Sequence, residues 1–146
     1  MNALQQRDMF TRRWRDVVVP AKEATALHIP LVRLLRLCIK PEVIWRHVPN
    51  GEHRDMRTAA KLKAMGVLPG SADLEFFWCD DDQLRVLFLE LKLPGRKLSD
   101  AQVEFALRVG LTGAKLFVAT SIDEAIGVVG AHDLIKRGVE ICGKRW

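Results

Sequence analysis

The chain has 146 residues, 49% hydrophobic and 28% charged, with 23 Lys and Arg against 18 Asp and Glu for a net charge of +5. These values describe one globular domain with a self-sufficient core, and a basic excess that suits a polyanionic partner. No apolar run approaches the roughly 18 residues of a membrane span, and Met1 to Arg15 lack a signal-peptide core, so a cytoplasmic protein with no membrane contact is expected.

Residues 1–20 form a basic N-terminal extension. Its stretch Arg12-Arg13-Trp14-Arg15 suits either an arm tracking a phosphate backbone, with Trp14 stacking on a base, or a peripheral segment packed on the domain. Between Pro20 and Pro41, Leu27, Leu31, Leu34, Leu35 and Cys38 recur at helical spacing, and Pro30 either kinks that helix or starts a second. Glu23 near its start favours the helix dipole. Glu42 to Val48 reads as a strand, stopped by Pro49-Asn50-Gly51. His47 and His53 flank that turn as structural or exposed residues. A helix from Met56 to Met65 follows, closed by Gly66. Arg54, Arg57 and Lys61 share one side of it, which either binds phosphates or is simply solvated.

Two dense apolar runs, Leu74 to Trp78 and Leu84 to Leu91, predict a β-hairpin covered on both faces, with Cys79 to Leu84 as its loop. The acidic triplet Asp80-Asp81-Asp82 is then a solvated turn. In this register Trp78 pairs with Arg85, and Asp73 falls opposite Glu90. Two carboxylates so placed need a proton or a cation between them, and Mg²⁺ on carboxylate oxygens is the economical solution. Lys92 shares the Glu90 face and suits orienting a water or steadying charge on a phosphate. A solvated rim or a plain salt bridge fits the same spacing.

After Lys92 a basic loop, with Arg96 and Lys97, enters a helix that opens with the capping box Ser99-x-x-Gln102. Lys115 to Thr120 is a buried strand, Ser121 and Glu124 cap a helix to about Val129, and His132 to Arg137 suggest a last short helix before a basic tail. Cys38, Cys79 and Cys142 are too scattered for a disulfide framework or a zinc knuckle, and read as free thiols in a reducing compartment.

The set Gly70, Asp73, Glu90-Leu91-Lys92, Leu98-Ser99 and Gln102 resembles the virus-type replication-repair nuclease (VRR-NUC) domain of the PD-(D/E)XK superfamily. The likeness extends through His47 to Gly51, Leu62 to Val67, Val118 to Ser121 and Asp123 to Ala125, over roughly residues 21–130. Ala72 departs from the pattern where the superfamily has proline. The element order predicts an α/β domain over 21–146, a mixed sheet flanked by helices, compatible with the α-β-β-β-α-β core of that superfamily. The resemblance implies a Mg²⁺- or Mn²⁺-dependent endonuclease acting on DNA. Asp73, Glu90 and the Leu91 carbonyl would hold the metal, Lys92 would place the attacking water, Gln102 would line the site and Glu23 would join it from the first helix. Arg54, Arg57, Lys61, Arg96 and Lys97 would contact DNA. Selectivity for branched substrates such as four-way junctions, a homodimer, and a repair or phage setting follow by the same analogy. The alternatives are a non-catalytic nucleic-acid-binding module and a phosphoesterase acting on nucleotides.

Overall fold

The computed structural model of the protein describes residues 24–49 and 56–146. The chain enters through one π-helical turn, Ala24–His28, and continues as α1, Ile29–Cys38, with Pro30 in its first turn. Proline lacks the N–H and crowds the carbonyl four residues back, and the wider preceding turn accommodates both effects without breaking the helix. Pro30 thus stands at the start of a new helical segment, the second of the two expected placements, ahead of the buried apolar stripe of Leu31, Leu35 and Cys38.

β1, Ile44–His47, and α2, Met56–Ala64, come next. Gly66 closes α2 at φ +89°, and Val67 N–H bonds to the Leu62 carbonyl at 2.9 Å, the wide ring of a Schellman stop. β2, Leu74–Asp80, and β3, Gln83–Leu91, form the central hairpin. α3, Asp100–Leu111, crosses over to β4, Lys115–Ala119, and α4, Ile122–Ala131, follows. The sheet order is β1-β2-β3-β4, antiparallel except for the parallel pair β3 and β4. This is a mixed α/β sheet with an added helix between β1 and β2, as expected.

Alternation along the strands builds the two faces. Leu74, Phe76, Leu87, Leu89 and Leu91 point to one face and pack with Leu31 and Leu35 of α1 and Ile126 and Val129 of α4. Phe88 and Leu116 point to the other, where Phe105 and Val109 of α3 cover them. Phe88 and Phe105 meet edge to face at 5.5 Å between centroids, an arrangement that aromatic pairs favour. Both faces of the hairpin are thus covered where it crosses the core.

The hairpin is longer than expected. Cys79 pairs with Leu84 and Asp80 with Gln83, so the loop is only Asp81-Asp82. Both have positive φ, 48° and 56°, the conformation of a type I′ turn, whose twist matches that of the flanking strands. The C-terminal region also differs. His132 to Arg137 form no helix, because Asp133 at φ +55° turns the chain and the next residues pair with the end of α1. Lys40 N–H bonds to the Leu134 carbonyl at 3.0 Å and Lys136 N–H to the Cys38 carbonyl at 2.9 Å. The expected basic tail instead folds back, with β6, Lys144–Arg145, pairing against β5, Glu140–Ile141. No helix among the described residues is long and apolar enough to cross a membrane.

Candidate active site

Asp73 stands one residue ahead of β2, where the chain leaves the loop at Gly70 and enters the sheet. Its backbone carbonyl accepts the Val48 N–H at 2.9 Å, and its carboxylate Oδ2 accepts the Leu91 N–H at 2.8 Å. The residue is thereby fixed from β1 on one side and β3 on the other. His47 Nδ1 lies 2.9 Å from the same carbonyl. A carbonyl only accepts, so that nitrogen carries the proton.

Leu74 pairs with Leu89, and the same register carried one step further sets Asp73 across from Glu90. Glu90 is 3% exposed, and a carboxylate that deep requires donors or a counter-charge. Lys92 supplies the charge, with Nζ 3.0 Å from Oε1, and Gln102 Nε2 donates to that oxygen at 2.5 Å. Glu75, the other buried acid among the described residues, is held by Arg46 at 2.7 Å. The N–H and C=O of one strand residue point the same way. Since the Leu91 N–H faces Asp73, its carbonyl faces the Asp73 side as well.

Gln102 works at both ends of its amide. Ser99 N–H donates to Gln102 Oε1 at 2.9 Å, and the Ser99 hydroxyl accepts from Gln102 N–H. The reciprocal cap fixes the amide orientation, so its NH₂ is aimed at Glu90. Gly70, at φ +75°, makes this approach possible, because any Cβ there would overlap the Ala101 carbonyl in the first turn of α3.

Asp73, Glu90, the Leu91 backbone, Lys92 and Gln102 therefore converge on one corner of the sheet, at the carboxyl end of β3. Arg96 and Lys97 lie exposed in the loop joining that corner to α3, and Arg57 and Lys61 are exposed on α2. Glu23, Arg54 and His53 lie outside the described residues, as does the extension 1–20.

No family model matches the chain, and no curated protein matches it. Among solved structures, a VRR_NUC domain protein is 31% identical to it over 59% of this chain and 64% of that one, with a TM-score of 0.46. The overlap stops short of two thirds of either chain.

No three His, Cys, Asp or Glu side chains converge among the described residues. A cation at this corner would rest on two carboxylates and a carbonyl, an all-oxygen set. Mg²⁺ and Mn²⁺ prefer such donors and keep water in their remaining positions, so the residues fit either ion.

One neighbour of the site was missed from the sequence. The His28 ring meets the His47 ring edge-on at 4.3 Å, and its Nε2 is buried with no hydrogen-bond partner among the described residues. Burial pushes the imidazole below its ordinary value of 6.5, the His47 ring adds to this, and Asp73 opposes it. The signal was available, since His28 lies three and seven residues ahead of Leu31 and Leu35, on the stripe that faces the core.

Proposed function

We propose that the chain is a metal-dependent endonuclease that hydrolyses phosphodiester bonds in DNA. The observation that carries this reading is the convergence of Lys92 and Gln102 on the buried Glu90, with Asp73 held opposite by the Leu91 N–H. A structural salt bridge needs neither the second acid nor the amide. Together they make an oriented oxygen-donor pair with a cation beside it.

Asp73, Glu90 and the Leu91 carbonyl would hold Mg²⁺ or Mn²⁺. When bound, such an ion polarises a phosphate oxygen and lowers the pKa of its water. The chain's own groups do the rest. Lys92, tethered to Glu90, holds a water in line with the phosphorus and balances charge growing on the phosphate. Gln102 keeps Glu90 from rotating away. The exposed Arg96, Lys97, Arg57 and Lys61 supply phosphate contacts for a long polyanion. The resemblance to VRR-NUC domains supports selectivity for branched DNA and a homodimer in which two sites make paired nicks.

The test is cleavage of labelled linear duplex, single strand, flap and four-way junction with Mg²⁺, Mn²⁺ or EDTA, comparing wild type with Asp73→Ala and Lys92→Ala. Metal-dependent cutting lost in both variants is the expected result. Wild-type protein that binds these DNAs and cuts none with either metal leaves a binding module instead.

A further inference from the structure

A second feature lies at the opposite end of β3. The sheet runs past the end of α4, and the uncovered strands leave a cleft of about 610 Å³ lined by Trp78, Arg85, Lys115 and His132, with Asp80 on its wall. Register explains the grouping. Trp78 pairs with Arg85, and Leu87, two residues on, pairs with Lys115, so all three face the same way. That face is opposite to the one bearing Glu90, and Arg85 and Glu90 are separated along β3 by about 17 Å at the usual strand rise.

The chemistry of the cleft is specific. Trp78 is half-buried, so part of its indole is open. His132 wedges between Trp78 and Phe117, edge-on to both at 5.9 and 5.5 Å. The His132 Nδ1 lies 2.8 Å from the Val128 carbonyl and so carries the proton, which fixes the ring plane and backs the tryptophan. Arg85 and Lys115 stand exposed beside this aromatic wall. Among the described residues Arg85 has one opposing charge, Asp80, at 3.6 Å and at the exposed hairpin end. The cavity size is that of a small-ligand site. An aromatic surface flanked by two cations matches a flat base carrying a phosphate.

We propose that this cleft binds an unpaired nucleotide of a nucleic-acid strand, the base on Trp78 and the phosphate between Arg85 and Lys115. The proposal rests on the nuclease reading only for the identity of the polymer. A base inside a duplex offers no free face to the indole, so the cleft favours DNA with splayed ends or junction arms over uniform duplex.

The test is fluorescence anisotropy in EDTA, which separates binding from cleavage. The probes are a labelled single-stranded oligothymidylate and a blunt duplex, with thymidine monophosphate as competitor. Wild type is compared with the double variant Arg85→Glu/Lys115→Glu and, separately, Trp78→Leu. The double variant is expected to bind the single strand about tenfold more weakly, with little change for the duplex. Charge reversal that leaves single-strand binding unchanged, or wild type that does not bind the single strand, overturns the proposal. Competition by the mononucleotide at concentrations equal to those of the strand overturns the polymer and leaves a free-nucleotide site. Should Trp78→Leu fail to fold, the charge reversal, which touches only exposed side chains, decides alone. Failure of catalysis appears separately, as a wild type that binds strands and cuts none with metal.

Discussion

Gln102 donates to Glu90 at 2.5 Å from the same side-chain amide that caps α3 through the Ser99 N–H. A helix cap and a site contact are thus one object. The two roles separate by mutation. Ser99→Ala removes the hydroxyl half of the cap and is expected to cost about 1 kcal/mol of stability while leaving cleavage near wild type. Gln102→Ala is expected to cost a similar amount and to lower cleavage about tenfold or more, because Glu90 loses its tether. Thermal melts beside cleavage rates check both, and equal rates for the two variants would deny Gln102 its role at the site.

Lys92 and Glu90 form an ion pair with side chains 12% and 4% exposed. Breaking such a pair from one side leaves a buried charge, at a cost of about 3–5 kcal/mol. Lys92→Met is therefore expected to lower stability sharply, and adding Glu90→Gln to restore much of the loss. Urea unfolding of the four members of the cycle measures this, and additive effects would show that the charges do not couple in the fold.

Gly70 and Gly66 both have positive φ, but only Gly70 has backbone where a Cβ would go. Gly66→Ala is expected to cost about 1 kcal/mol, from conformation alone. Gly70→Ala is expected to cost about 3 kcal/mol or more and to depress cleavage, since the loop must lift away from Ala101 beside Gln102. Denaturation midpoints compare the two directly.

His28 is held below its ordinary value of 6.5, chiefly by burial. The unfolded chain then binds the proton more readily than the folded one, so stability is present above pH 6.5 and declines as pH falls toward the folded value. Glu124 and Asp133, lowered by their bonds to Thr120 and Lys40, act in the same direction, but from their ordinary values of 4.5 and 3.8 downward. Between pH 6.5 and 5 the melting temperature of wild type should therefore fall more than that of His28→Phe. Parallel curves in that window would remove His28 as the cause.

The hairpin register was legible because a loop between two dense apolar runs sets Trp78 against Arg85, the pairing observed, and the same register carries Asp73 opposite Glu90. The turn was misjudged because Asp-Asp carries no glycine, although aspartate tolerates the left-handed region better than most residues. The C-terminal hairpin escaped because strands of two residues are shorter than any periodic window. The segment Leu134 to Lys136 that leads into it is placed by pairing with residues near Cys38, some hundred positions earlier. The spacing of Ser121 and Glu124 predicts a capping box. Ser121 does accept the Glu124 N–H, yet the carboxylate reaches one residue further back, to the Thr120 N–H and hydroxyl at 2.6 and 2.8 Å. Gly70 belonged to the recognised motif, but its reason, contact with the Ala101 carbonyl, exists only once α3 is docked.

The tight Asp81-Asp82 turn has a consequence for how this chain can vary. Nothing in the site touches it, so its side chains are free to change among the few that tolerate positive φ, such as Asn and Gly. Its length is not. Deleting a single residue leaves no loop to take up the difference, and the strands must slip by one to close. Glu90 and Lys92 would then swing through the sheet into the layer of α1 and α4, stranding Gln102 on the far side. Two unremarkable aspartates, remote from any chemistry, count out the phase of the strand that carries it.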